Sequence, residues 1–149
     1  MRLHRLESIY TDVPIYYVTI CTHQRRHLLA NPQVHDAFKA FAENAQQHDI
    51  FVGCYVLMPD HVHAFVAFGA EAMSLSSWVK SLKNILSKCL RHQNIPVPHF
   101  QKGFFDHVLR AEDSYFEKSE YMFLNPVRAG LVTKPEDWQF QGEMCELNP

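Results

Sequence analysis

No run of 18 apolar residues occurs in the 149-residue sequence, so no transmembrane helix is expected. The opening MRLHRLESIY lacks the apolar stretch of a signal peptide, which makes the cytoplasm the expected compartment. Cysteine is sparse: Cys21, Cys54, Cys89 and Cys145 form no C-x-x-C pair, which argues against a zinc ribbon and for ordinary buried thiols. Positive charge is not in excess either. Fourteen Lys and Arg stand against 16 Asp and Glu, a net charge of -2, and this counts against a simple nucleic-acid binder. With 20% charged and 47% hydrophobic residues the chain is not disordered and can build a core. Repeats, low-complexity segments and linkers are absent, so residues 1–149 are expected to form one domain.

What is present is local. Residues 14–22, PIYYVTICT, are β-branched and aromatic, apolar on both faces, and predict a central strand. Asn31-Pro32 is a helix start, and Val34, Phe38, Phe41 and Ala45 follow the helical stripe. Residues 50–57 and 61–68 predict two more strands, paired antiparallel across the turn Met58-Pro59-Asp60. Ser74 caps a second helix with an apolar stripe through Trp78, Leu82, Leu86 and Leu90. Residues 104–110 read as a fourth strand. Glu112 and Asp113 suit the start of a further helix, which runs to about Asn125 and is ended or kinked by Pro126. The residues after it, through PEDWQF, read as an irregular tail. The order predicts an α+β fold: a ferredoxin-like βαββαβ antiparallel sheet with helices on one face, plus an additional C-terminal helix.

The sequence holds ten histidines, a number that invites a search for a metal site. His61 and His63 lie two apart on a predicted strand and so project from one face, while Val62, Ala64 and Val66 pack on the other. Two imidazoles make a rigid half-site for a divalent cation with positions left open for catalysis. The same spacing also fits two half-buried sheet histidines with backbone partners.

Tyr121, Asn125 and Arg128 fall at i, i+4 and i+7, on one face if the helix continues. Together they suit phosphodiester chemistry. The phenol attacks, the amide oxygen completes a metal shell, and the arginine holds a phosphate oxygen. A free phenol has a pKa of about 10, so roughly 0.1% is phenolate at pH 7, a deficit of about 4 kcal/mol that a cation and an arginine partly offset. Attack would form a tyrosyl phosphoester, and rejoining would need no ATP. Tyr121 as a core residue, and Asn125 as a cap on the turn at Pro126, fit the same spacing.

The segments MPDHVHAF (58–65), FFDHVLR (104–110), EYMFLNPVRAGLV (120–132) and PEDW (135–138), in that order, resemble the single-tyrosine HUH transposases, closest to the repetitive-extragenic-palindrome-associated tyrosine transposases. The resemblance covers about Tyr16 to Trp138. It implies an enzyme that nicks single-stranded DNA near a hairpin and transfers the strand through a 5′-phosphotyrosine link, leaving a free 3′-OH. It implies Mg²⁺, with Mn²⁺ as substitute, held by His61, His63 and, one turn after the nucleophile Tyr121, Asn125. The stretch after Trp138 departs from the family pattern in being short and acidic, with Glu143 and Glu146.

For the DNA, Lys80, Lys83, Lys88 and Arg91 bunch on the second helix, and no acid falls between Ala72 and Leu90, as a phosphate track requires. Arg25 and Arg26 in THQRRH form a second candidate contact, joined by Arg110 and Arg128. A solvated helix face explains the lysines equally well. His107 fits a DNA contact, an orienting group or a structural role. Single-stranded or hairpin DNA is the expected partner and no membrane is; monomer and homodimer both remain open. Two other functions fit the fold: a domesticated, non-cutting DNA-binding regulator, and a metal-binding protein unrelated to DNA.

Overall fold

The computed structural model describes residues 13–110 and 113–147. Glu112, expected at a helix start, lies outside them, as does MRLHRLESIY. The elements in chain order are β1 (Ile15–Cys21), α1 (Pro32–Ala45), β2 (Ile50–Met58), β3 (His61–Phe68), α2 (Leu75–His92), β4 (Phe105–Val108), α3 (Tyr115–Phe123), a single turn α4 (Asn125–Arg128) and β5 (Gln141–Glu143). The strands form one antiparallel sheet in the order β4-β1-β3-β2-β5. Its first four strands are the ferredoxin-like set, and β5 is added outside β2. No described helix is long and apolar enough to cross a membrane.

Strand alternation divides the core into two layers. Val18 and Ile20 of β1 and Val62, Ala64 and Val66 of β3 face α1 and α2, meeting Phe38, Trp78, Leu82 and Leu86. Ile15, Phe65 and Ala67 face the other way, toward Met122 of α3 and the terminal Cys145 and Leu147. β2, covered on both faces, is buried at all nine positions. α1 and α2 therefore share one face, as expected, while α3 and the turn α4 that follows it lie on the opposite one.

Local chemistry sets the helix ends. The Asn31 side chain accepts from the Val34 N–H at 3.0 Å with Pro32 in the first turn, and Ser74 Oγ accepts from the Ser77 N–H at 3.2 Å. For α3 the cap is Ser114, whose Oγ accepts from the Glu117 N–H at 3.1 Å. The helix breaks at Leu124 and resumes as α4. Pro126 has no N–H to offer the Met122 carbonyl four residues back, and the Asn125 side-chain amide takes that carbonyl instead, at 2.8 Å.

Two expectations are corrected. β4 is shorter than residues 104–110, ending at Val108, because it is an exposed edge paired only to β1. The C-terminal stretch is not an irregular tail. Trp138 Nε1 donates to the Leu57 carbonyl at 3.0 Å, and Gln141–Glu143 pairs with β2 from Cys54 to Val56. β2 would otherwise present an unpaired edge, and backbone hydrogen bonding recruits a segment with no β-branched residue.

Candidate active site

Register places the histidine pair. On β3, His61 lies opposite Cys21 and His63 opposite Thr19 of β1, both on the α3 face of the sheet. The two rings meet edge to face, 4.5 Å between centroids. Each is held through Nδ1: His61 by Asp60 Oδ1 at 2.7 Å, His63 by Thr19 Oγ1 at 2.9 Å. The tautomer with the proton on His61 Nδ1 lets that nitrogen donate to the carboxylate, and Arg25 Nη2 lies 3.3 Å from the same atom. That leaves Nε2 of both rings uncommitted among the described residues. Asp60 is gripped in turn by Arg25, whose Nε donates to Oδ2 at 2.9 Å from a residue in left-handed conformation (φ 54°). Burial pushes the His63 pKa down to about 3, helped by His61 when that ring is protonated and by the Arg128 guanidinium. Burial lowers His61 too, against the opposing pull of Asp60. Both rings are therefore neutral near pH 7, the form in which imidazole binds a metal.

Tyr121 projects from α3 on the same side and is 65% exposed. The Arg128 guanidinium lies over its ring, Cζ 4.0 Å from the centroid, and Arg128 Nη1 donates to the Tyr121 carbonyl at 3.0 Å. The i, i+7 pairing thus survives the break at Leu124, through a folded-back arginine instead of a continuous helix. Asn125 spends its Nδ2 on the Met122 carbonyl, which leaves Oδ1, the atom suited to a hard cation, without a partner among the described residues. Among these residues no three His, Cys, Asp or Glu side chains gather as a metal site. The donor set is therefore two imidazole nitrogens and, at most, an amide oxygen. Such a set fits an open catalytic ion and does not fit a closed structural one.

Tyr17 links the two halves. Its ring stacks on His63 at 5.1 Å with an 18° tilt and lies 4.7 Å from Phe65. With Phe65, Tyr121 and His107 it also lines a pocket of about 500 Å³, into which Asp113 and Glu117 add carboxylates. Burial raises Tyr17 to about 12 against the lowering effect of Arg128, so its hydroxyl stays protonated. Tyr115, one turn and a half before Tyr121, is also kept protonated by burial; its hydroxyl accepts the Cys54 N–H at 3.0 Å. Of these three tyrosines Tyr121 is the most exposed, Tyr17 being half-buried in the pocket wall. No hydrogen bond or ring contact joins Tyr121 directly to either histidine among the described residues.

The cations divide by layer. Lys80, Lys88 and Arg91 are exposed on α2, across the sheet from Tyr121. Lys83 is tied to the Gln101 and Gly103 carbonyls at 2.8 and 2.6 Å. Arg26 Nη2 donates to the Pro96 carbonyl at 3.1 Å and to that of Pro98. Arg110 is exposed just past β4, where its backbone N–H donates to Asp113 Oδ2. Of the cations singled out from the sequence, Arg25 and Arg128 touch the site, through Asp60–His61 and Tyr121. Sequence reasoning did not single out Tyr17, Thr19 or Asp60. Asp60 was visible as the carboxylate preceding His61, whereas Tyr17 and Thr19 emerge only from cross-strand register.

A family model for IS200-like transposases matches residues 12–116, a span that includes His61 and His63 and stops before Tyr121. The REP-associated tyrosine transposase of Escherichia coli (strain K12) is 23% identical over 125 residues, 84% of this chain and 73% of that protein. A solved REP-associated tyrosine transposase, bound to a REP hairpin, superposes with a TM-score of 0.69 at 22% identity, over 89% of this chain and 78% of the other. At that identity the superposition establishes a shared fold. Because the family model spans well over half of the sequence, the chain belongs to the IS200-like transposase family.

Proposed function

We propose that this transposase cuts and rejoins single-stranded DNA beside hairpins, with Tyr121 as nucleophile and His61 and His63 as ligands of a divalent metal, Mg²⁺ or in its place Mn²⁺. The observation that carries this reading is the shared face. Two neutral imidazoles whose Nε2 atoms are uncommitted among the described residues and an exposed, arginine-covered tyrosine stand on the same side of one sheet.

His61, His63 and the Asn125 oxygen would hold the metal, which when bound polarises the scissile phosphate. Asp60 and Thr19 fix the two ring orientations before substrate arrives. Arg128 is placed to hold a non-bridging phosphate oxygen next to the phenol. The Tyr121 oxygen forms a bond to phosphorus while the bond to the 3′-oxygen breaks. The phenol proton is lost to solvent and the departing oxygen becomes a 3′-hydroxyl. The product is a 5′-phosphotyrosine, and attack on it by a 3′-hydroxyl reverses the step and joins strands without ATP. Hairpin DNA as the substrate rests on the solved relative, which holds a REP hairpin.

The test is a denaturing gel of protein incubated with labelled hairpin single strands and Mn²⁺. A covalent band that disappears with chelator and in Tyr121→Phe is expected. Binding without any band, across a wide hairpin library, would make the protein a non-cutting DNA binder.

A further inference from the structure

We propose that the pocket between β4, the sheet and the start of α3 receives one unpaired, amino-bearing nucleobase from the strand being cut. This inference rests on the reading of the chain as a DNA-cutting enzyme.

The pocket begins where the nucleophile does. Tyr121 and Tyr17 both line it, and Tyr17 stacks with its ring on His63, so a cavity of about 500 Å³ opens one side chain away from the histidine pair. A nucleotide whose phosphate lies at Tyr121 has its own base, or its neighbour's, within reach of that opening. Tyr17, Phe65 and Tyr121 give the lining its aromatic character, and stacking on such rings accepts any base.

The polar lining is selective. Asp113 is occupied: Oδ2 accepts the Arg110 N–H at 2.7 Å, and Oδ1 lies 3.8 Å from Lys118 Nζ. The Glu117 carboxylate also lines the pocket but has no partner among the described residues. A carboxylate repels phosphate, which keeps the backbone at the mouth. It accepts hydrogen bonds, and cytosine, adenine and guanine offer exocyclic amino groups to it. Thymine lacks an amino group, and its one edge donor, N3–H, is flanked by two carbonyl oxygens that a carboxylate repels, so it fits worst. Glu117 is then a specificity residue, outside the cutting machinery.

The experiment uses the full chain carrying Tyr121→Phe, so binding is read without cutting. 2-Aminopurine is moved one position at a time through the single-stranded segment beside a hairpin. At one position its fluorescence is quenched several-fold, and thymine there weakens binding about tenfold relative to cytosine. Adding Glu117→Ala brings that ratio to within about twofold, and Glu117→Gln, which keeps an acceptor, restores part of it. Tight binding with no quenched position, or an unchanged thymine penalty in Glu117→Ala, overturns the inference. Quenching at one position with no covalent band from the native protein would keep the base pocket and reject cutting. No binding to any strand would reject both.

Discussion

Asp60 decides which nitrogen of His61 faces outward. Its carboxylate takes the Nδ1 proton at 2.7 Å, and Arg25 keeps it from rotating away. Removing the carboxylate frees the ring to flip and to bond elsewhere. Asp60→Ala should therefore weaken Mn²⁺ binding about 10- to 100-fold, measured by electron paramagnetic resonance of the free ion, with little change in the circular dichroism spectrum. An unchanged affinity would mean that His61 is oriented by packing alone. His63 gives a second expectation, for stability in the presence of chelator. Its folded pKa of about 3 lies below the 6.5 of the unfolded chain. A depressed pKa means the unfolded state binds the extra proton, so this contribution is complete above about pH 6.5 and is lost as pH falls toward 3. Between pH 6.5 and 5 the loss is about 2 kcal/mol. His63→Gln should lack that part of the acid dependence in urea unfolding; equal slopes in both proteins would show that His63 does not contribute.

Helix α3, which carries Tyr121, is docked by a device at the level of elements. The β2–β3 register shifts between Val52 and Tyr55, so Gly53 and Cys54 form a bulge, and the Cys54 N–H turned loose there is taken by the Tyr115 hydroxyl. Gly53 makes the approach possible: a Cβ at that position would come within 2.4 Å of the Tyr115 oxygen and 2.6 Å of Leu147 Cδ1. Gly53→Ala should destabilise the fold by about 1–3 kcal/mol in urea unfolding. Tyr115→Phe on the Gly53→Ala background should recover part of the loss, since it removes the nearest clashing atom. Additive losses would place the strain at Leu147 alone. In IFVGCYVL the lone glycine is the local sign of such a bulge, but nothing in the run names Tyr115 or Leu147 as what approaches it. By contrast, β1, β3, α1 and α2 were legible because alternation, a β-branched run or a cap sits in contiguous residues. β5 was not: QGE is held by backbone bonds to β2 and by Trp138 docking on Leu57, which are tertiary facts. The break at Leu124 was legible as Pro126. Its repair by the Asn125 amide was not, because the spacing that aligns Asn125 with Tyr121 equally fits a cap.

At the scale of the whole molecule the sheet separates two charged surfaces. Tyr121, Arg128 and the histidine pair occupy one side, and Lys80, Lys88 and Arg91 the other, on the outer face of α2. The sequence showed the lysine bunching but carried no sign of which layer α2 would join, since an amphipathic stripe packs on either face of a sheet. A short unstructured strand lying at Tyr121 cannot reach the α2 cations without passing round an edge of the sheet. A hairpin extending from a strand held at Tyr121 has the length to do so. Each phosphate neutralised adds about 0.7 to the slope of log K against log salt for a single strand and about 0.9 for a duplex. The triple variant Lys80→Ala, Lys88→Ala, Arg91→Ala should therefore leave the slope for a short strand within about half a unit of the native protein. For the hairpin it should lower the slope by roughly 2–3 units, as three lost duplex contacts require. Fluorescence anisotropy over a salt series distinguishes the outcomes. Equal losses on both substrates would put the track at the cutting site and contradict the two-sided arrangement. No loss on either would make the α2 lysines a solvated face, and hairpin binding would then depend on the site side alone, through Arg25, Arg110 and Arg128.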